Sequence, residues 1–171
     1  KVMPRLYLAA GLDILHLDAT LESKINSGMG FDIGQKFDGD GTGIGYNLGL
    51  LYDITDDIAL GVAYRSEIKV NVDGRGKFNP QIPGMLENSS GDADITLPQQ
   101  LFAGISYKGF DRWILEAGLR WEDWSCFDQL KVKFDSGMPA PPQPRRWNDT
   151  FAFNIGAQYR YNEIVTLRAG Y

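Results

Sequence analysis

Between Asp57 and Asp73 apolar and polar side chains alternate almost without a break. Ile58, Leu60, Val62, Tyr64, Ile68, Val70 and Val72 share one parity, interrupted by Ser66; Ala63, Arg65, Glu67, Lys69, Asn71 and Asp73 occupy the other. Successive side chains of a β-strand point to opposite faces, so the run predicts one strand with an apolar face and a charged face. Its length, about 55 Å at the rise of a strand, exceeds that of strands in soluble sheets. A tilted strand that crosses a bilayer and projects beyond it needs such length.

The same pattern predicts seven strands, at Arg5–Leu17, Ile44–Tyr52, Ile58–Asp73, Ile95–Tyr107, Trp113–Phe134, Thr150–Tyr161 and Val165–Tyr171. The connections alternate between tight turns (after Tyr52, Tyr107 and Tyr161) and long Gly-, Pro- and Asn-rich loops at Asp18–Gly43, Gly74–Asp94 and Asp135–Asp149. Tight turns between alternate pairs imply an antiparallel meander, and the asymmetry is that of a bacterial outer-membrane barrel. Tyr52, Tyr107, Trp113, Tyr159 and Tyr161 gather near the tight turns, and Trp121, Trp124, Phe127, Trp147 and Phe151 near the other end. Two aromatic groups mark two membrane interfaces. The fold class read here is therefore all-β, an antiparallel transmembrane barrel segment.

Parity then assigns faces, because a lipid-facing Arg or Lys at the bilayer midplane costs roughly 2–4 kcal/mol. It turns Arg65, Glu67, Lys69, Glu116, Arg120, Glu122, Arg160 and Arg168 toward the lumen, with Trp113, Leu115, Leu119, Phe153 and Ile155 toward lipid. Both signs are interleaved along the inner set, which favours a mutually neutralising lumen network over a charged transport path. At Asp123-Trp124-Ser125-Cys126 the parity flips, and a bulge or a strand exit explains it.

The remaining chemistry is narrow. A net charge of −5 without a basic stripe offers nothing to nucleic acid. Apolar runs stay too short for a spanning helix, which a barrel does not need. Cys126 is the single cysteine and His16 the single histidine, so no metal site is expected. Asp38-Gly39-Asp40-Gly41-Thr42-Gly43 is similar to the opening of a calcium loop, but Gly49 stands where a bidentate acid is required. No nucleophile accompanies the glutamates, so the expectation is a protein that is no enzyme.

Five segments, in this order, carry a more specific signal. They are Gly45-Tyr46-Asn47-Leu48-Gly49-Leu50-Leu51-Tyr52, Tyr64-Arg65-Ser66-Glu67-Ile68-Lys69, Leu97-Pro98-Gln99, Trp124-Ser125-Cys126-Phe127-Asp128-Gln129-Leu130 and Leu167-Arg168-Ala169-Gly170-Tyr171. On these the chain resembles the FadL-type family, which includes aromatic-hydrocarbon channels. The resemblance implies a fourteen-stranded barrel closed by an N-terminal hatch. Residues 1–171 would be one partial domain, its middle seven strands, without the hatch and the C-terminal strands. It further implies passive transport of hydrophobic small molecules without a cofactor, with long-chain fatty acids first and aromatic hydrocarbons second. The setting would be the bacterial outer membrane, among lipid and lipopolysaccharide, as a monomer. A general diffusion porin and a soluble β-sandwich or lipocalin-like binder are the rivals. Inward apolar Leu51 and Phe102 are the expected ligand contacts, and the resemblance points to Arg145 or Arg146 for a carboxylate.

Overall fold

Strand follows strand along this chain, with a single 3-10 turn at Trp124–Cys126 as the described helical element. The computed structural model describes residues 3–26, 30, 32–82, 87–127, 129–130, 132–136, 143–144 and 146–171. The strands are β1 (Leu6–Asn26), β2 (Asp32–Asp53), β3 (Ile58–Arg65), β4 (Ile68–Asn79), β5 (Ser89–Leu97) and β6 (Gln100–Tyr107). Then come β7 (Trp113–Glu122), β8 (Gln129–Leu130), β9 (Val132–Phe134), β10 (Gln143–Pro144), β11 (Thr150–Arg160) and β12 (Thr166–Gly170). Every pairing is antiparallel, and the short turns 54–57, 108–112 and 161–165 lie at one end of the sheet.

Seven passes of the chain account for these elements, since β3 with β4 and β5 with β6 are broken runs. Below the break the sheet order is β1-β2-β3-β6-β7-β11-β12; above it, β1-β2-β4-β5-β9. The long strand β2 belongs to both parts.

Two expected loops are corrected here. Asp18–Gly43 is mostly strand: β1 and β2 form one hairpin, paired from Leu6 with Tyr52 to Asn26 with Asp32. Much of Gly74–Asp94 is also strand, with Gly74 opposite Gly91 and Gly76 opposite Ser89. Gly39, Gly41 and Gly43, which suggested a loop, sit on alternate positions of β2, all on one face. A Cβ on Gly41 would stand 2.2 Å from the Asn71 carbonyl oxygen, and one on Gly43 2.5 Å from Ile68 Cγ2. The glycine face therefore lets β4 lie directly against β2, a close approach that any side chain would block. The acids between them point away: Asp38 accepts a hydrogen bond from Thr20 Oγ1 at 3.0 Å and meets Lys36 Nζ at 3.5 Å. No group of three or more His, Cys, Asp or Glu among the described residues is arranged for a metal.

The expected single strand Ile58–Asp73 is broken at Ser66 and Glu67. Along β2 the paired positions Asn47 and Asp40 are seven residues apart, whereas their partners Arg65 and Asp73 are eight apart. One extra residue is a β-bulge, and it exchanges the faces of everything beyond it. Ile68, Val70 and Val72 consequently turn to the side that Arg65 occupies below. There they form a buried core with Phe37, Phe78, Ala93 and Phe134. Leu15, Leu17 and Leu21 of β1 pack against it. Glu67 and Lys69, expected in the lumen with Arg65, lie instead on the opposite, exposed face and pair with each other at 3.2 Å. At the second expected flip β7 ends at Glu122 and the 3-10 turn intervenes before β8, but no face is exchanged. Phe134 stands on the same inner side as Glu122, in the buried core, so a strand exit and not a reversed register accounts for the change of pattern.

Candidate inner-face site

Below the bulge, adjacent strands bring their side chains into level tiers. On the outer face one tier holds Leu48, Tyr64, Leu101, Trp121 and Phe151, and the next Leu50, Val62, Ala103, Leu119 and Phe153. Toward the short turns follow Tyr52, Leu60, Ile105, Ala117 and Ile155, and then a tier with Tyr107 and Leu115. Trp113 and Tyr159 close the band, their ring centroids 4.8 Å apart. No charged side chain interrupts these tiers. An apolar band with amphipathic rings at both edges is the surface a bilayer requires.

The inner face is graded differently. Its uppermost tier, just under the bulge, is polar on all five strands: Asn47, Arg65, Gln100, Glu122 and Thr150. Glu122, with its side chain only 14% exposed, is the hub. It accepts from Gln100 Nε2 at 2.8 Å, Trp124 Nε1 at 3.3 Å and Thr150 Oγ1 at 3.3 Å, with Arg120 Nε 4.0 Å away. Arg65 Nε stands 3.3 Å from Asp13 Oδ2, and Asn47 Nδ2 donates to Asp13 Oδ1 at 3.0 Å. Glu122 thus faces several donors, and Asp13 a cation and one donor, as partly buried carboxylates require.

Two tiers of small residues follow. Gly49, Ala63, Phe102, Arg120 and Ala152 form the first, and Leu51, Gly61, Gly104, Gly118 and Asn154 the second. Because glycine and alanine carry so little side chain, the wall is hollowed there, and a cavity of about 910 Å³ results. Leu51, Phe102 and, opposite Leu51 on β1, Tyr7 are large side chains lining it from this face, and all three are exposed. Exposed apolar groups in a concave surface mark a binding place for apolar matter. Arg120 pairs directly across the strands with Phe102, so a cation borders the apolar wall. A third tier, with Ser106 and Glu116, bounds the hollow below.

The structure thus brings Arg65, Arg120, Glu122 and Glu116 to the same face as Leu51 and Phe102. Arg160 and Arg168 lie on that face near the short turns, where Arg168 Nε donates to Gln158 Oε1 at 3.1 Å. Arg146 is exposed, next to Trp147, whose ring packs on Trp124 and Phe127 at 5.0 and 5.2 Å. Arg145 lies outside the described residues. Sequence reasoning missed Asp13 and Asn47, although Asp13 is a lone charge in the apolar run from Leu6 to Leu15. It also missed Gln99, which accepts from the Tyr64 hydroxyl at 2.8 Å and donates to Asp123 Oδ2 at 2.9 Å. That bridge stitches the break between β5 and β6 to the end of β7.

Comparison with known proteins agrees with this geometry. All of residues 1–171 match the family described as outer membrane protein transport protein (OMPP1/FadL/TodX). A long-chain fatty acid transport protein of Escherichia coli O6:H1 is 28% identical over 145 residues, which are 77% of this chain and 32% of the relative. The chain therefore spans about a third of that relative's length. Among solved structures, a FadL homologue of Pseudomonas aeruginosa superimposes with a TM-score of 0.86 over 99% of this chain and 46% of the other, at 22% identity. The toluene transporter TodX of Pseudomonas putida does so with a TM-score of 0.71 over 99% and 51%, at 23% identity. These two likenesses concern the fold, an outer-membrane β-barrel of which this chain is a part.

Proposed function

The chain belongs to this outer-membrane transport family, and from that premise we propose that the full-length protein carries hydrophobic small molecules passively across the outer membrane. Long-chain fatty acids are the first substrate class, and no chemical step acts on them. The observation that carries this reading is the hollow on the inner face. Tiers of glycine and alanine open it, and Phe102 and Leu51 offer apolar contact worth about 0.8 kcal/mol for each methylene they help to bury. Arg120 beside Phe102 supplies a charge-assisted partner for a carboxylate at the upper edge. Exposed Arg146, at the aromatic end above it, is proposed as a first contact for the same group.

The paired charges of the upper tier support a closed, ligand-specific lumen rather than a wide diffusion pore, whose ion path they would obstruct. Aromatic hydrocarbons are the second reading, favoured by the likeness to the toluene transporter. A neutral ring would need the hollow but not Arg120. We place the protein as a monomer among lipid and lipopolysaccharide, this chain forming the middle strands of a fourteen-stranded barrel.

The experiment is uptake of labelled oleate and labelled toluene by cells that lack their own transporter and express the full-length protein. Oleate entry above the empty-vector level is the expected result. Entry of toluene alone would replace the substrate class, and entry of neither by a correctly inserted barrel would overturn the reading.

A further inference from the structure

The upper edge of the lipid-facing band is uneven. On β1 and β2 the apolar row climbs past the break: Leu12 stands opposite Tyr46 and Ile14 opposite Ile44, all four exposed on the outer face. On the next strand the same height is charged. The pairing of Asp40 with Asp73 brings Ile44 level with Lys69, and Glu67 points outward beside it. An aliphatic strip thus abuts an ion pair on the surface that faces the membrane.

Between strip and ion pair the wall is dented. The ladder of β3 with β6 stops at Arg65 and Gln100, and that of β4 with β5 resumes at Ile68 and Leu97. A hollow of about 620 Å³ opens there, within the range of small-ligand sites. Leu12, Ile44, Tyr46 and Tyr64 form its apolar side, and Glu67 and Gln99 its polar side. The two tyrosine rings stand 6.0 Å apart, and the Tyr64 hydroxyl is tied to Gln99. In a barrel the further neighbour of β1 extends the sheet sideways, so it leaves this outer face to the membrane.

Height decides which molecule lies against the dent. The short turns mark the periplasmic side, so this edge belongs to the outer leaflet, whose lipid is lipopolysaccharide. We infer that the dent is a docking site for the lipid A end of lipopolysaccharide. Three parts of that molecule match three parts of the surface. An acyl chain lies on Leu12, Ile14 and Ile44, in continuity with the apolar band below. A glucosamine ring sets its C–H face on a tyrosine, with its hydroxyls bonded to Glu67 and Gln99. A phosphate takes the Lys69 ammonium, whose side chain is 74% exposed although Glu67 lies 3.2 Å away. Asp94 and Asp73 stand in the tiers above, and their charge confines the phosphate to the level of Lys69. A phospholipid would use the strip and the ammonium but leave the tyrosine, Glu67 and Gln99 idle. The inference needs the outer-membrane setting and no transported substrate, so a failure of oleate uptake leaves it untouched.

The test is native mass spectrometry of the full-length protein in detergent, titrated with hexa-acyl lipid A or with dipalmitoyl phosphatidylglycerol. Saturable retention of lipid A is expected, with phosphatidylglycerol bound about tenfold more weakly. Glu67→Ala/Lys69→Ala should weaken lipid A about tenfold, the worth of one charge-assisted bond. Tyr46→Leu keeps apolar bulk, and it should weaken lipid A while leaving phosphatidylglycerol as it was. Heat-modifiable migration on gels reports that each variant is folded.

Lipid A retention indifferent to both variants would place the lipid on another surface and overturn the site. Equal affinity for the two lipids would overturn the sugar contact and with it the assignment to lipid A. A folded barrel that retains no lipid A, or that pairs with a second copy in its place, overturns the inference as well.

Discussion

The hydroxyl oxygen of Ser66 accepts a hydrogen bond from the backbone amide of Tyr46 at 2.9 Å, while the Ser66 amide donates to the Tyr46 carbonyl, also at 2.9 Å. The bulge at this point deprives Tyr46 of an ordinary ladder acceptor, and the serine side chain supplies one. A residue that looked like the single flaw in an apolar row is therefore the residue that closes the bulge.

Ser66→Ala should accordingly destabilise the barrel by about 1–3 kcal/mol, the cost of leaving a half-buried amide unpaired. The midpoint of urea unfolding in lipid vesicles measures this. A midpoint unchanged from the parent would mean that water or another group satisfies Tyr46.

Face assignment is tested by charge. Val62→Arg and Leu119→Arg point into lipid and should each lower stability by roughly 2–4 kcal/mol, with lower yields of inserted barrel, whereas Ala63→Arg on the inner face should insert normally. Above the bulge the intolerant positions face inward instead of toward lipid: Val70→Arg enters the buried core and should fail, while Lys69→Ala should fold like the parent. Equal yields for all of them would refute the assignment of Val62, Leu119 and Val70 to apolar surroundings.

Gly61 has room for a larger side chain, since the nearest atom to an added Cβ is Leu51 Cδ1 at 3.9 Å. Gly61→Leu should therefore insert and fold normally, yet fill the hollow and reduce oleate uptake severalfold, by the methylene contacts it displaces. Unimpaired uptake would remove the hollow from the ligand path.

Asp123 occupies the turn beyond β7. The Ser125 hydroxyl, 2.6 Å away, holds its carboxyl below the usual range, and Gln99 adds to the effect. A lowered folded-state value means that the stabilisation is present above the ordinary carboxylate range and disappears as pH falls through the folded value. Unfolding midpoints followed from about pH 5 downward should drop more steeply for the parent than for Asp123→Asn. Parallel curves would show that these bonds form equally in the unfolded chain.

Alternation along Trp113–Glu122 and Thr150–Arg160 was sufficient to separate Leu119 and Phe153 on one face of the sheet from Glu116, Arg120 and Glu122 on the other, because each of those strands keeps one register from end to end. Period-two patterning is local, and where no residue is inserted it propagates without error. The tight turns likewise announced the meander, and the ordered motifs announced the family. In contrast, Ile58–Asp73 reads as one amphipathic strand, and its alternation stays intact across the break.

Only the pairing with β2 reveals that Glu67 and Lys69 have left the lumen side while Val70 and Val72 have entered a core. Apolar and charged positions exchange environments there together, so the chain's own pattern holds no trace of it. The glycines at 39, 41 and 43 are a similar case. Alone they signal a loop, and beside β4 they are the small face against which another backbone rests. Register and close approach depend on residues far apart in the chain, and for that reason the tertiary structure decided them.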